Sequence, residues 1–435
     1  MLDADDLHDP EGTLTRLVSW NQRIHEHECV NLNPAANVMN PAAETLLSAP
    51  GLGTRPSLGD PGHKYEMGLE AVERIEVLAE HLAREVFDAA HAEVRLPSGA
   101  MANLVTFLAA SHDRCSRGAS GSTDGRPGVL IAPPASIAGH VTHHADGAAG
   151  LVGFDVIAAP VDRDRYTVDV DEVATLARRV EPSVITVGAS LNLRHHPVAQ
   201  LREVADEVGA VLVFDAAHLS GLIAGGVWPN PLAEGAHAMT MSTYKSLAGP
   251  PAGLVLTDDE RLAERIRAIT FPGLTANFDV GATAALARTL IDWHACGGEH
   301  AAAMVATAAA LADGLLDRGI PVHRPGDGGR PTESHAFAVE TDESTGPFPD
   351  GHTAATTLRR ANLLTSAIGV PTGRGAAIRI GTNEMVRWGL APGDVGELAD
   401  LVARAWGADT DDEVCSVAAA VTAFRRRFDQ VHFTS

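Results

Sequence analysis

Apolar residues recur along this 435-residue chain with two different spacings, and the alternation between them outlines a fold. Over "EAVERIEVLAEHLAREVFD", Val72, Ile75, Leu78, Leu82 and Val86 fall three to four residues apart, the spacing that places them on one face of an amphipathic helix. Leu14, Leu17 and Val18 repeat it more briefly near the start. Short, nearly continuous apolar runs follow, "GVLIAP", "SVITVGAS", "AVLVFDAAH" and "GLVLTDD", separated by helical patterns. That alternation predicts an α/β fold with a mostly parallel sheet covered by helices.

The same pattern divides the chain, which is too long for one compact core. Residues 1–50 read as an N-terminal arm, with one short helix and the Asn/Pro-rich "NLNPAANVMNP". Residues 51–290 carry the strand-forming runs and form the large domain, in which "CSRGASGSTDGRPG" (115–128) reads as a surface loop. From about residue 290 the alanine-rich "HAAAMVATAAALADGLLDRG" begins a long helix and a smaller α+β domain, 291–435.

Charge narrows the function. A formal net charge of −23 argues against nucleic acid or an anionic membrane as partner, since both favour a basic face. Arg425, Arg426 and Arg427 are a local exception and read as a solvated helix face. No apolar stretch approaches a membrane span, and "MLDADDLHDPEG" is too acidic for a signal peptide, so a cytoplasmic protein is expected. Cys29, Cys115, Cys296 and Cys415 lie far apart without a CxxC pair, which indicates neither disulfides nor zinc.

Lys and Arg together number 33, yet only Lys64 and Lys245 are lysine. Arginine supplies a permanent charge and a bidentate fork. An amine is required where a neutral nucleophile must form an imine with a carbonyl compound. Lys245 lies in "MSTYKSLAGP" at an expected strand end, and Asp215 ends the preceding run "VLVFD", with His218 within one turn of it. Ligands of open α/β sheets gather at the carboxyl ends of strands, so neighbouring ends offer a carboxylate and an amine to one pocket. That pair suits pyridoxal phosphate, whose aldehyde takes the amine and whose protonated ring accepts electrons from a carbanion at a substrate α-carbon. A phosphate cradle is available in "LPSGAMANLVTFLAA", where Pro97, Ser98 and Gly99 open a helix whose first amides face an anion, with Ser242 and Thr243 as further donors. Asp215 alone also reads as a helix N-cap. His140, His143 and His144 lack a carboxylate or thiol at a matching offset, so no metal site is expected, and His195 and His196 read as loop residues.

With these residues in hand the chain resembles the serine hydroxymethyltransferase family over nearly its whole length. "LNPAANVMNP", "GDPGHKYEMG", "PSGAMAN", "AGHVTHH", "VFDAAHLSGLIAGGVWPNP", "MSTYKSLAGP", "TESHAFAVE" and "AAIRIGTN" occur in the family's order, and the "DxAH…GVxPNP…TxxKxLxGP" succession is the most specific. The resemblance implies a fold-type I pyridoxal-phosphate-dependent transferase, aspartate-aminotransferase-like. It further implies that Lys245 holds the cofactor, Asp215 binds the pyridine nitrogen, His140 stacks on the ring, and Ser190 and His218 bond its 3′-oxygen side. Ser98, Gly99 and Ser242 are implied to hold phosphate, and Arg379 the carboxylate of an amino-acid substrate. A homodimer, or a tetramer, is implied as well.

The departures point to altered substrate chemistry. Leu58 stands where the family has an acid/base glutamate that contacts substrate hydroxyl and folate, and Pro56 and Glu66 replace tyrosines. This makes a role for tetrahydrofolate doubtful. Ala35 and Ala36 replace serine and glutamate, Tyr244 a histidine, Pro251 an arginine, and Ala276 and Asn277 two glycines. Glu66, His140 and His143 are candidates for the missing base. Glu66 and Tyr65, with Lys64, sit on a segment expected to approach a neighbouring subunit's site; for Lys64 an ordinary surface position is the alternative. The reading is an enzyme that makes or breaks the Cα–Cβ bond of a β-hydroxy-α-amino acid through a glycine carbanion, as an aldolase, transaldolase or specialised hydroxymethyltransferase. The alternatives are folate-dependent serine hydroxymethyl transfer and another reaction at Cα, such as decarboxylation or transamination.

Overall fold

The computed structural model describes residues 8–53, 57, 59–116, 128–326, 328–341, 346–371 and 375–435. Pro56, Leu58 and most of the loop expected at 115–128 lie outside the described residues.

The apolar runs form one sheet. Strands β1 (His91–Leu96), β2 (Val129–Ala132), β3 (Asp155–Ala158), β4 (Val184–Val187), β5 (Val211–Asp215), β6 (Ala238–Ser242) and β7 (Gly253–Thr257) lie side by side in the order β1-β7-β6-β5-β4-β2-β3. β7 is antiparallel to both its neighbours and the other pairs are parallel. Leu212 and Phe214 of β5 enter one apolar cluster and Val211 and Val213 another, because helices cover both faces. A strand buried on both sides needs no polar alternation, which is why these runs read as continuous. The α/β class and the mostly parallel mixed sheet are as expected.

Helix α1 spans Pro10–Gln22, α2 Glu70–Phe87, α3 Gly99–Ser116 and α4 Val280–Leu316. In α2 the buried stripe is rotated from the expected one: Val72, Glu76, Ala79, Ala83 and Phe87 face inward, while Leu78 is exposed. The helix packs on α4, and alanine on the contact face lets two helices approach closely. The boundary expected at 290/291 falls inside α4. Near its start Trp293 Nε1 donates to Leu247 O (2.7 Å), and further along Met304 O accepts from Thr382 Oγ1 (2.9 Å). One continuous helix thus serves the main sheet and the C-terminal part.

In that part β8 (Ala336–Glu340), β9 (Ser366–Gly369) and β10 (Ala376–Gly381) form an antiparallel sheet with β10 central. The end of the expected arm joins it. Val30–Asn31 pairs in parallel with Leu363–Leu364, Gly381 N donates to Leu32 O (2.8 Å), and Val30 and Leu32 are fully buried.

One expectation about charged residues is corrected, and for a second residue one of two alternatives is decided. Arg425 is buried, not solvated: Val414, Val417, Val421 and Phe424 set the inner face of the helix Asp411–Arg425, and Arg425 falls on that face. Its guanidinium lies 4.4 Å from the Trp388 ring centre and donates to Phe428 O. Lys64 is not at the surface either. Its Nζ donates to Gly59 O (2.6 Å) and to Glu76 Oε2 (2.5 Å), beside an Arg95 that also pairs with Asp60 and Glu93.

Candidate active site

Asp215 is the last residue of β5, and its register partner on parallel β6 is Thr240. The chain leaving β6 therefore starts beside it, and Lys245 follows three residues after the strand, 4% exposed. Asp215 does not cap a helix. The next one begins at Ser220 with Leu219 as its cap, and the carboxylate instead accepts from Ala217 N (2.9 Å, Oδ1) and Asn103 Nδ2 (2.9 Å, Oδ2). His143 Nε2 lies 3.1 Å from the same Oδ2. Asn103 projects from α3, accepts from Thr240 Oγ1 (2.6 Å) and reaches Thr142 Oγ1 (2.9 Å), which pairs with His140 Nδ1 (2.6 Å).

These contacts set the protonation states. Burial alone would raise the Asp215 carboxyl, but His143, His140 and Asn103 hold it far below the usual carboxylate range. Burial lowers Lys245 to about 8; Asp215 opposes the shift and Arg379 adds to it. Burial likewise brings His140 down to about 4, and takes His218 well below its ordinary value, with Lys245 and Arg379 contributing. The pocket at neutral pH holds an anion, an amine that deprotonates readily and the uncharged imidazoles of His140 and His218.

Ser98 and Gly99 open α3 opposite Ser242. A Cβ on Gly99 would lie 2.3 Å from Ser242 Oγ, so glycine is what permits the helix start and the β6 end to converge. Ser98 Oγ accepts from Met101 N (3.2 Å). On the other side, Arg379 from β10 reaches across from the C-terminal part. Its Nε donates to Ser366 Oγ (2.7 Å) and its Nη1 to Ser190 O (2.7 Å), with His218 Nε2 at 3.4 Å. Both acceptors are neutral, and burial lowers the guanidinium to about 10.

Lys245, Asp215, His140, His218, Ser190 and Arg379 are thus gathered, with Ser98, Gly99 and Ser242 beside them. Glu66 and Tyr65 are not. Both are exposed, Tyr65 lying 6.4 Å from the Phe271 ring at the surface of the chain. Asn103, Thr142 and Ser366 join the site without being among the residues expected there. Asn103 left a signal, a polar residue one turn after Gly99 within an apolar helix; Thr142 and Ser366 left none. His196, read as a loop residue, is buried and bonded to Thr167 and Asn192.

Comparison with known proteins finds relatives over nearly the whole chain. The serine hydroxymethyltransferase family profile matches residues 18–402. The chain is 53% identical to an alpha-methylserine aldolase of Variovorax paradoxus over 97% of its length and 91% of that protein. It is 48% identical to an alpha-methylserine aldolase of a Ralstonia species, over 97% and 92% respectively. A serine hydroxymethyltransferase of Pyrobaculum neutrophilum is 32% identical over 97% of this chain and 93% of that one. With the motifs in order and the profile spanning most of its length, the chain belongs to the serine hydroxymethyltransferase family of pyridoxal-phosphate-dependent enzymes.

Proposed function

We propose that the chain is an aldolase for β-hydroxy-α-amino acids carrying a carbon substituent at Cα, and that α-methylserine, split to alanine and formaldehyde, is its substrate. The observation that carries this reading is a buried Arg379 whose hydrogen-bond partners are neutral, set beside the buried Lys245 amine. A buried cation without a counter-charge favours a bound carboxylate, and the fork geometry favours a bidentate one.

The residues fit pyridoxal phosphate: an ionised buried carboxylate for the ring nitrogen, an amine lowered to about 8, and a helix start that meets Ser242 Oγ. When bound, the cofactor supplies an aldehyde for that amine and an electron sink for charge left at Cα. Asp215 holds the proton of the ring nitrogen. The first amides of α3, with the Ser98 and Ser242 hydroxyls, take the phosphate. His140 would pack against the cofactor ring, and Ser190 with His218 would hold its oxygen side. Arg379 fixes the substrate carboxylate and so turns the Cα–Cβ bond toward the cleavage geometry. His140, uncharged at neutral pH, would take the single β-hydroxyl proton as the aldehyde product forms, and Lys245 would return a proton to Cα.

Support for a substituted Cα comes from the relatives and from Ala35 and Ala36. That segment is bonded to Ser366 through Asn33 (3.2 Å) and to Lys245 O through Asn37 (3.0 Å), and the two alanines between these ties border a cleft with smaller side chains than the family's serine and glutamate. Leu58 in place of the family's glutamate supports independence from tetrahydrofolate. The test is to incubate the cofactor-loaded protein with α-methylserine, with and without tetrahydrofolate. Equal release of formaldehyde and alanine in both is expected. Turnover of serine only, and only with folate, would restore hydroxymethyl transfer; no product from either would sink the aldol reading.

A further inference from the structure

Glu384 follows the stretch "AAIRIGTN" in sequence but plays no part in the site described above. It is 6% exposed, on the short helix Asn383–Arg387 just beyond β10. Its Oε2 accepts from Asn31 Nδ2 (2.6 Å). Asn31 Oδ1 in turn accepts from Asn33 N (3.0 Å), and Asn33 Oδ1 accepts from Ser366 Oγ (3.2 Å). Ser366 Oγ is the acceptor of Arg379 Nε (2.7 Å). The bonds form one continuous line from a buried carboxyl to the guanidinium, and every donor and acceptor in it has a defined direction.

We infer that Glu384 is a positioning residue for Arg379, acting through Asn31, Asn33 and Ser366. The line joins the N-terminal Val30–Asn31 strand to β9, β10 and the helix of Glu384, with Asn31 and Glu384 353 residues apart in sequence. Ser366 gives its hydroxyl proton to Asn33, which leaves its lone pairs to accept from Arg379, and Asn33 is held in turn by Asn31. Removing the Glu384 acceptor frees the Asn31 amide, and the play is felt at the guanidinium. The inference rests on Arg379 as the carboxylate-binding residue.

Glu384 also borders a cleft of about 330 Å³ that reaches solvent beside Tyr244 and Pro251, so its carboxyl can exchange protons. Burial brings it up to about 7, opposed by Asn31, Arg425 and Trp388. Across the cleft His25, Glu26, Glu44 and Tyr244 face the same space. The ionised carboxylate is the stronger acceptor, so the line tightens as pH rises through about 7.

The test measures binding of 2-aminoisobutyrate, which has the carboxylate and the substituted Cα but no β-hydroxyl to cleave, to the cofactor-loaded enzyme by calorimetry. Arg379→Ala should weaken it by ~10–100-fold, the loss of a charge-assisted pair. Ser366→Ala and Glu384→Ala should each weaken it by a smaller factor, with the double variant no worse than the weaker single, as members of one network behave. Glu384→Gln should match the wild type at pH 6 and lack its gain in affinity toward pH 8. Should Glu384→Ala fail to fold, Ser366→Ala with Glu384→Gln carries the same comparison. Multiplying effects of Ser366→Ala and Glu384→Ala, or unchanged affinity in both beside a loss in Arg379→Ala, overturns the positioning role alone. Unchanged affinity in Arg379→Ala overturns the carboxylate reading and the inference with it.

Discussion

The side chains of Lys64 and Lys245 are both buried, and their neighbours give them opposite chemistry. Lys64 is compensated by Glu76, whereas Lys245 sits within reach of Asp215 but also of Arg379, and its amine is lowered to about 8. The rate at which the cofactor-free protein captures pyridoxal phosphate covalently should therefore rise with pH around a midpoint near 8, followed by the mass added after borohydride reduction; a midpoint at the ordinary lysine value would remove the assignment. The sign for stability follows from the same shift. A folded-state value below the unfolded one contributes stability above the unfolded value, and that stability is lost as pH falls through about 8. Cofactor-free Lys245→Met should thus melt higher than the wild type below pH 8, and the difference should close above the ordinary lysine value. The chemistry of Lys245 was legible because its partners Asp215 and His218 lie at strand ends whose runs announce themselves. The role of Lys64 was not, since Glu76 and Arg95 reach it only through the folding of α2 against β1.

At the scale of elements, periodicity located α2 but misjudged its phase. Apolar spacing counts large side chains, while the contact with α4 selects small ones, so Ala79 and Ala83 lie inside and Leu78 outside. Ala79→Leu should overpack this contact and cost ~1–3 kcal/mol, read as a lower midpoint in thermal or urea unfolding; Leu78→Ala should cost much less. Lys64→Met removes one partner of a buried pair and should cost ~3–5 kcal/mol. That cost should grow with pH, because Glu76, already raised by burial, then ionises without its nearest cation. A loss independent of pH would mean that packing of the lysine stem dominates.

At the scale of the molecule, apolar surface is left where a compact monomer has no reason to leave it. In α1, Leu14 is 63% exposed, Val18 61% and Trp20 52%, and Tyr65 and Met67 are exposed on the segment that carries Glu66. A face of this kind is commonly covered by another chain, which supports the homodimer proposed from the family. Light scattering on the purified protein should give twice the 45.4 kDa chain mass, and Leu14→Glu with Val18→Glu should lower it. A monomer of unaltered mass in both would remove the dimer, and with it any role for Glu66 and Tyr65 in a neighbouring site. No helix among the described residues is long and apolar enough to cross a membrane.

The sequence by itself determined what depends on local order, buried strands from continuous apolar runs and helices from their spacing, and it pointed to an amine, a carboxylate and a proposed phosphate cradle at strand ends and a helix start. Even Arg379 could be named, because its motif travels with the family. Tertiary structure alone decided what depends on which distant residues meet. It placed Arg425 inside, set Asn103 against Asp215 and ran α4 through the expected boundary. It also joined Glu384 to Arg379 through Asn31, Asn33 and Ser366. A hydrogen bond or a buried ion pair is fixed by distance and direction in space, and neither is written in the spacing of residues along one chain.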